Sequence, residues 1–420
     1  MRMMPTIAIV LPLLAGCELR VSHAPVDPGP GSSPPPPPAA ERRFDREPVL
    51  GVLLATGPSA VITFAGVAQA GGARFPAGAV TAMVRQGRIQ VAGRDLGPGP
   101  VDFRVEPGAG GERFRGNFAG EPWRCAGDLR LAAVGAQVQV IELVGMETYL
   151  AGVLTCEMSA SYPPAALQAQ AVAARSYAAA RWFERADRAW QLDGDHIVDM
   201  EYRALQAPNR SVGEAAVRAT RGVILRHGGQ PVMAFFHAAS GGRTAGAAAV
   251  REDAPGRAAV VGVEDAASVR GARSLGLFAT HGEWRATLTF AQLTAAAQRW
   301  SEGGSGRARF GTVQKLRLVP SADGSPRAEA VELTHRLGAT TRSDCIPAGE
   351  FRLAAGPGAV RSTWWTAATP IAAGYVFAGK GFGHGAGLSQ VGAWQMATDG
   401  HPAKAIVAHY YRGADWFDAY

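Results

Sequence analysis

A long segment without helix breakers, opened by two consecutive prolines, constrains this chain more than any other feature. Pro163 and Pro164 suit the first turn of a helix, because proline fixes φ and lacks the amide proton that a first turn leaves unpaired. The alanine-rich run from Ala165 to Phe183 continues without glycine or proline. The sequence therefore predicts one long helix starting at the prolines.

The segment before the prolines predicts a shorter helix with an acid at its end. Apolar residues recur there at positions i, i+1, i+4 and i+5, which places on one face Tyr149, Leu150, Val153 and Leu154. Glu157 follows at the join of the two helices. A carboxyl group at such a corner is expected to be partly desolvated, which raises its pKa toward the ~6 that suits a general acid. A capping or solvent-facing Glu157 is the structural alternative.

The rest of the chain divides by composition. Residues 48–145 alternate short β-branched runs with turn residues and are expected to be a β-rich scaffold. We predict an α+β fold, in which this β-rich scaffold precedes an α-helical catalytic segment and a glycine-rich C-terminal region. The predicted boundaries are 1–17 for a signal peptide, 18–47 for a proline-rich linker, 48–145 for the β-rich part and 146–420 for the remainder.

Length and charge exclude some classes of protein. The 420 residues with 47% hydrophobic content suffice for two or three packed units. The formal charge is +7, but lysine occurs only at Lys315, Lys380 and Lys404, and no run of five basic residues is present. This distribution argues against nucleic acid as a partner. An acidic, extended polymer remains a compatible partner.

The first residues predict export. Arg2 precedes an apolar stretch, residues 7–14, that is far shorter than the ~20 residues of a membrane span and is typical of a signal peptide. Leu14-Ala15-Gly16-Cys17 resembles the bacterial lipobox, which implies a lipid on Cys17, with an accidental Cys17 as the alternative. Glu18 after the cysteine resembles outer-membrane sorting. We therefore expect an exported protein anchored by lipid to the periplasmic face of an outer membrane.

The linker and the remaining cysteines fit an exported chain. The run Pro34–Pro38 favours a stiff polyproline tether. Cys125, Cys156 and Cys345 remain after it, and a disulfide between Cys125 and Cys345 is one pairing open to an oxidised protein. None of these cysteines shares a metal-binding spacing with another.

Four blocks of sequence carry a resemblance to a known family. Residues 146–182, METYLAGVLTCEMSASYPPAALQAQAVAARSYAAARW, resemble the defining motif of the SpoIID/LytB family. Residues 235–244, FFHAASGGRT, and 379–393, GKGFGHGAGLSQVGA, are similar to two further family blocks, and 406–413 resemble a fourth. The resemblance spans about 146–413, covers 48–145 loosely and leaves 1–47 uncovered.

The resemblance implies an activity and a catalytic residue. Members with known activity are lytic transglycosylases of peptidoglycan strands already stripped of stem peptides, and their essential acid falls on Glu157. Other members enhance amidases, so a glycan-binding amidase modifier is the alternative, and a water-using muramidase is another. No second carboxylate is fixed near Glu157 by motif, and Asp193, Asp195 and Asp199 are interpreted as surface loop.

The resemblance also implies a set of substrate-binding residues. Arg175 is expected to clamp a carboxylate, either the lactyl group of muramic acid or Glu157, and the substrate is favoured because pairing with Glu157 would lower its pKa. His384 and His237 either contact sugar or fix tight turns, and Tyr410 and Tyr411 either stack on sugar rings or pack a helix. The remaining candidates are Gln170, Tyr177, Ser240, Gly241, Gly383, Ser389 and Gln390.

No cofactor is predicted. The glycine-rich block lacks the G-K-[ST] ending of a phosphate loop. Some related proteins bind zinc after the acid-bearing helix, but here that stretch offers His196 and no cysteine. We therefore expect no metal. The expected partners are glycan strands, a membrane through the lipid anchor and a cell-wall amidase.

Overall fold

The computed structural model describes residues 42–118, 120–195, 198–304, 306–321 and 325–420. Cys17, the predicted signal peptide and most of the predicted linker, residues 18–41, lie outside these ranges, as does His196.

The first hundred described residues form strands, as their composition predicts. The strands are β1 (Val49–Gly57), β2 (Ser59–Phe64), β3 (Ala68–Ala70), β4 (Ala73–Phe75), β5 (Gly78–Arg85), β6 (Arg88–Val91), β7 (Arg94–Gly97), β8 (Val101–Val105), β9 (Phe114–Phe118), β10 (Glu121–Cys125), β11 (Asp128–Val134) and β12 (Gln137–Gly145). β1 pairs antiparallel with β12, so the two ends of the scaffold meet beside the first helix. A second sheet has the strand order β10-β9-β2-β5-β6-β7.

The two predicted helices follow directly. α1 spans Met146–Glu157 and α2 spans Pro164–Glu184. Alanine and other small residues let α2 bury nearly its whole circumference between Ala166 and Arg181, so it forms the centre of the larger hydrophobic core. The larger core also receives the inner faces of the two scaffold sheets. The mixed α+β class is confirmed.

The chain after α2 returns to the same core through short elements. They are β13 (Leu192–Asp193), α3 (Arg210–Ala219), β14 (Val223–His227), β15 (Gln230–Pro231), β16 (Phe236–His237), α4 (Ala266–Ser274), β23 (Leu388–Ser389), α7 (Gln390–Thr398), α8 (Ala403–Tyr410) and β24 (Asp415–Asp418). β13 runs parallel to β1, and β16 runs parallel to β23. The β16–β23 pair joins two of the sequence blocks described above.

A second lobe lies between these elements in sequence. It comprises β17 (Glu283–Thr289), α5 (Phe290–Glu302), β18 (Thr312–Pro320), β19 (Ala328–Leu337), β20 (Thr340–Pro347), α6 (Ala348–Ala355), β21 (Trp365–Ile371) and β22 (Gly374–Lys380). These elements enclose a hydrophobic core of their own, which includes Leu293, Leu333 and Phe377. β22 leads straight into the glycine-rich block, so the lobe connects to the site region through that strand.

The structure corrects one expectation about the cysteines. Cys125, Cys156 and Cys345 are all free thiols. Cys125 is buried in the larger core, whereas Cys345 is exposed on β20 of the second lobe, so the Cys125–Cys345 disulfide is not formed. Among the helices of the described ranges, none is both long and apolar enough to cross a membrane.

Candidate active site

Glu157 is the last residue of α1, at the corner that the sequence predicts. The chain turns to extended backbone at Met158, whose N–H still donates to the carbonyl of Leu154 at 3.0 Å. The Glu157 side chain is 4% exposed. One of its oxygens, Oε1, accepts a hydrogen bond of 2.7 Å from the backbone N–H of Glu201. The carboxyl group is therefore fixed at one oxygen and nearly closed off from water.

This environment raises the pKa of Glu157 to about 8. Burial is the largest cause, because it removes the water that stabilises the charged form. The N–H of Glu201 lowers the pKa, and the negative charge of the Glu201 side chain raises it. Glu157 consequently holds its proton at neutral pH, which is the state required of a general acid.

The loop that carries Glu201 is locked against α1. The N–H of Arg203 donates to the carbonyl of Gly152 at 3.0 Å, and the Tyr202 ring packs so close that a Cβ at Gly152 would lie 2.5 Å from it. The hydroxyl of Tyr202 donates to the buried carboxylate of Glu142 at 2.9 Å. These contacts hold the Glu201 N–H in place over the Glu157 carboxyl group.

The glycine-rich block reaches Glu157 through Gln390. Ser389 caps α7, since its hydroxyl accepts from the N–H of Gly392 at 3.2 Å. Gln390 is the first residue of that helix, and its Nε2 donates to the backbone carbonyl of Glu157 at 2.9 Å. The end of α1 and the start of α7 are therefore joined directly beside the acid.

Two buried histidines lie behind this junction. His237 pairs with Ser389 across the β16–β23 ladder, and its ring centroid is 5.6 Å from that of His384. Burial is the main reason that the pKa of His237 falls well below its usual range and that the pKa of His384 falls to about 3, and nearby arginine charges add to both shifts. Both rings are neutral at physiological pH.

Backbone contacts fix the proton positions of these neutral rings. His384 Nδ1 accepts from the N–H of Ala386 at 3.1 Å, so its proton lies on Nε2. His237 Nδ1 lies 3.1 Å from the carbonyl oxygen of Ala386 and must donate to it, so its Nε2 is a bare acceptor. The pair thus presents one donor and one acceptor nitrogen.

Several buried polar atoms from the predicted site lack a partner within the described part of the chain. They are both amide atoms of Gln170, Oε1 of Gln390, and Nε2 of His237 and of His384. Gln170 belongs to α2, which packs against α7. Buried polar groups are normally paired, so unpaired buried polar atoms are typical of a site that binds a polar ligand or water.

Arg175 does not clamp the substrate, and this expectation is corrected. Its side chain is fully buried, with Nε and Nη2 donating to the two carboxylate oxygens of Glu147 at 3.0 and 2.7 Å. Nη1 donates to the carbonyl of Val223 at 3.0 Å, and Nη2 also donates to that of Val217 at 3.2 Å. The carboxylate that Arg175 holds is thus internal and is not that of Glu157.

The interpretation of Asp199 as surface loop is also wrong, because this aspartate is buried. Tyr177 donates its hydroxyl proton to Asp199 at 2.7 Å, and Arg181 and Arg185 donate to the same carboxylate at 2.8 and 3.0 Å. The backbone N–H of Asp193 donates to it at 2.8 Å. Tyr177 therefore ties the loop after α2 to that helix and is not free to contact sugar.

Three further candidates are structural. The hydroxyls of Ser240 and Tyr410 both donate to the buried carboxylate of Asp265, at 2.8 and 3.0 Å. Tyr411 donates to the carbonyl of Phe235 at 2.7 Å. Both tyrosines are buried, so they pack α8 and offer no stacking face, which corrects the alternative that they bind sugar rings.

Two of the predicted glycines permit close backbone approach. Gly241 has φ +77°, and a Cβ there would lie 2.6 Å from the amide nitrogen of Gly381. Gly383 has φ +103°, and a Cβ there would lie 2.8 Å from the Cβ of His237. A side chain at either position would separate the two blocks, so these glycines bring the site together.

Sequence reasoning missed Glu201, Glu147 and Asp265. Each acts through a partner more than twenty residues away in sequence, and no helical or strand spacing signals such a contact. In the ranges that the structure describes, no three His, Cys, Asp or Glu side chains are grouped as metal ligands would be.

Comparisons with known proteins agree with the first sequence block, residues 146–182. The family profile described as SpoIID, stage II sporulation protein, matches residues 134–227. An uncharacterised protein of Brachyspira hyodysenteriae is 29% identical over 66% of this chain and 68% of its own length. Stage II sporulation protein D of Bacillus amyloliquefaciens is 25% identical over 66% of this chain and 76% of its own length. The amidase enhancer of Bacillus subtilis is 25% identical over 63% of this chain and 39% of its own length.

Proposed function

We propose that this chain, which belongs to the SpoIID family of cell-wall proteins, is a lytic transglycosylase of peptidoglycan. Its substrate would be a glycan strand stripped of stem peptides, cleaved between N-acetylmuramic acid and N-acetylglucosamine. The observation that carries the proposal is the buried Glu157, protonated at neutral pH with a pKa of about 8, at the point where separate sequence blocks meet.

Glu157 would act first as the acid. Its proton passes to the glycosidic oxygen as the bond from that oxygen to C1 of muramic acid breaks, so the leaving sugar departs as a neutral alcohol. Burial supports this step, because it keeps the carboxyl group protonated until the leaving oxygen develops charge.

The same group would then act as the base. The Glu157 carboxylate accepts the proton of the 6-hydroxyl of the same muramic acid while that oxygen bonds to C1 and closes a 1,6-anhydro ring. The carboxyl group regains its proton, and no water is consumed. One carboxyl group therefore suffices, whereas hydrolytic glycosidases require a second carboxylate roughly 5–10 Å away.

The unpaired polar atoms support glycan as the ligand. The neutral His384 offers a donor, the neutral His237 an acceptor, and Gln170 and Gln390 amide groups that match sugar hydroxyls and acetamides. Neutral donors and acceptors of this kind suit an uncharged sugar ring. Gly383 lets the backbone approach the same region.

Product analysis tests the proposal. Purified wall glycan, first treated with an amidase to remove stem peptides, is digested with the protein and the products are weighed. Anhydro-muramic acid ends are expected, each product pair having the same total mass as its parent strand. New reducing ends, with each product pair heavier than its parent strand by one water, would instead identify a water-using muramidase.

Glu157→Gln is the matched variant, because it keeps the shape of the side chain and still accepts from the Glu201 N–H. Turnover should fall by about 10²–10⁴-fold, the usual contribution of general acid-base catalysis. Near-normal cleavage by a folded variant, with a melting temperature no lower than that of the parent, would show that the catalytic acid is another residue.

A second candidate function is supported by the likeness to the amidase enhancer of Bacillus subtilis. In that case the domain would bind glycan and stimulate a cell-wall amidase without cleaving strands itself. The stripped-glycan digest would then give no products, while adding the protein to an amidase digest would accelerate peptide release even for Glu157→Gln.

Lipid anchoring completes the proposed setting. A lipid on Cys17 with a stiff linker would hold the catalytic region at the periplasmic face of an outer membrane, next to its substrate. Cys17→Ser should leave the precursor unprocessed or release the protein from membranes. Unchanged membrane partitioning of this variant would remove the anchor from the proposal.

A further inference from the structure

Arg327, a charged residue of the second lobe, lies next to the site region. Arg327 lies just before β19, and its Nη2 donates to the backbone carbonyls of Ser240 and Arg243 at 2.9 and 3.4 Å. Those residues belong to the turn of the sequence block 235–244. Arg327 is 4% exposed. A guanidinium group from outside the sequence blocks therefore ends beside one of them.

Among the described residues, no carboxylate forms an ion pair with Arg327. Within the same ranges its Nε and Nη1 have no hydrogen-bond partner. Burial lowers the pKa of Arg327 to about 10, with a further contribution from the charge of Arg352, so the group remains protonated at pH 7. An unpaired buried charge is costly unless an anion or a strong acceptor compensates it.

The surroundings of Arg327 are shaped for this side chain and are electropositive. Gly385 has φ +88°, and a Cβ there would lie 2.2 Å from the Arg327 Cζ, so only glycine leaves room for the guanidinium. The Trp364 ring centroid lies 5.8 Å from Cζ. Positive charge from Arg327 contributes to the lowered pKa values of the adjacent His237 and His384.

We propose that Arg327 binds the substrate carboxylate, the lactyl group of muramic acid. This inference rests on the proposed function, and it assigns to Arg327 the role that the sequence suggested for Arg175. A strand stripped of peptide carries a free lactyl carboxylate on each muramic acid, whereas a peptide-bearing strand carries a neutral amide there. A buried guanidinium with unused N–H donors distinguishes the two through charge-assisted hydrogen bonds.

The chain of contacts puts Arg327 and Glu157 on one path. Gln390 contacts Glu157, Ser389 pairs with His237, and His237 lies against His384, which precedes Gly385. Arg327 and Glu157 therefore border the same glycine-rich block, and we place the bound glycan strand along it.

Binding requires the glycine-rich segment around Gly385 to move away from the Arg327 guanidinium. Nε and Nη1 are enclosed in the structure, and the backbone at Gly385 lies directly over the guanidinium. Gly381, Gly383, Gly385 and Gly387 all have positive φ values, in the region that glycine adopts without strain. The proposal therefore requires this glycine-rich segment to shift and admit the carboxylate, a loop rearrangement of the kind that a substantial minority of complexes show.

Binding measurements in the Glu157→Gln background test the inference without turnover. The two probes are stripped glycan oligomers and the same oligomers with every lactyl carboxylate converted to its methylamide. The Glu157→Gln protein with Arg327 intact should bind the carboxylate form about 10- to 100-fold more tightly than the methylamide form, the range for a charge-assisted hydrogen bond. Arg327→Gln should bind both forms equally. Arg317→Gln, which removes an exposed arginine paired with Glu332 on the same lobe, should keep the preference.

Melting curves separate recognition from a structural role. A folded Arg327→Gln that keeps the preference would overturn the inference and leave Arg327 as a tie between the lobe and the turn at Ser240. Where Arg327→Gln does not fold, competition on the parent protein decides: free N-acetylmuramic acid should displace the oligomer better than its methylamide, and equal displacement would overturn the inference.

The proposed function and the Arg327 carboxylate site can be contradicted independently of each other. If the active protein forms no anhydro ends while Arg327→Gln abolishes the carboxylate preference, the Arg327 site is supported and the transglycosylase activity is contradicted. If anhydro ends form while the Glu157→Gln protein with Arg327 intact binds both probes equally, the transglycosylase activity is supported and the Arg327 carboxylate site is contradicted.

Discussion

The guanidinium of Arg175 forms two hydrogen bonds to the buried carboxylate of Glu147, from Nε at 3.0 Å and from Nη2 at 2.7 Å. Glu147 is the second residue of α1, and Arg175 lies in the middle of α2, so the pair joins the start of the helix that ends in Glu157 to the helix that follows. The N–H of Gly222 donates to the same carboxylate at 3.1 Å, and the Tyr420 hydroxyl also contacts it. This network fixes α1 and, through it, the position of the acid.

Breaking this pair from one side should destabilise the fold. Arg175→Met leaves the Glu147 carboxylate buried without its counter-charge, which typically costs about 3–5 kcal/mol of unfolding free energy. Denaturant unfolding measures the loss. Arg221→Met, which removes an exposed arginine from the same region, should change the stability little.

Glycan affinity distinguishes this structural role from a substrate clamp. Measured at a temperature where Arg175→Met is still folded, its affinity for stripped glycan should match that of the parent. A large loss of affinity in a variant of near-normal stability would return Arg175 to the binding site.

The loop after α2 depends on Asp199. This carboxylate accepts from Tyr177, Arg181, Arg185 and the backbone of Asp193. Asp199→Asn therefore removes the counter-charge of the buried Arg185 and leaves Arg181 with Glu184. We expect a loss of about 3–5 kcal/mol in unfolding free energy. The exposed Asp187→Asn is the matched control. Equal melting temperatures for the two variants would show that the arginine cluster does not stabilise the fold.

Local signals in the sequence were sufficient for the helices and the corner. Proline at the start of α2, the absence of breakers within it and the apolar spacing in α1 predicted both helices and placed Glu157 where they meet. The partner of Arg175 could not be predicted, because it lies 28 residues earlier in sequence, on another helix. The Glu201 contact depends on the path of a loop, and Arg327 comes from a separate lobe, so neither leaves a periodic signal.

The raised pKa of Glu157 predicts a pH-dependent stability. In the unfolded chain this carboxyl group ionises near its ordinary value of 4.5, whereas the folded protein holds the proton until about pH 8. Between these values the folded state binds more protons than the unfolded state, so this group lowers stability as pH rises through the window. The full penalty, at most ~5 kcal/mol, is present above pH 8.

Glu157→Gln removes this penalty. Its gain in unfolding free energy over the parent should be smallest at pH 4.5 and grow up to pH 8, beyond which it should stay constant. Denaturant unfolding at a series of pH values measures the difference. A gain independent of pH would mean that Glu157 ionises in the folded protein as it does in the unfolded chain.

The last prediction concerns Glu201, which affects Glu157 in two opposite ways. Its backbone N–H stabilises the charged form of Glu157, and its side-chain charge disfavours that form. Glu201→Gln keeps the N–H and removes the charge, so the pKa of Glu157 should fall. If Glu157 is the acid, cleavage should lose activity on the alkaline side as this proton is lost, and that limb of the pH profile should move to lower pH in Glu201→Gln.

Glu121→Gln controls for the arginine that Glu201 contacts. Arg203 pairs with both Glu201 and Glu121, but the Glu121 charge is not among the causes of the Glu157 shift. The pH profile of kcat for release of anhydro ends should therefore be unchanged in Glu121→Gln and displaced in Glu201→Gln. The Glu201 charge raises the pKa of Glu157, so removing it must lower that pKa. An alkaline limb at the same pH in both variants would therefore show that the proton titrated in catalysis is not that of Glu157.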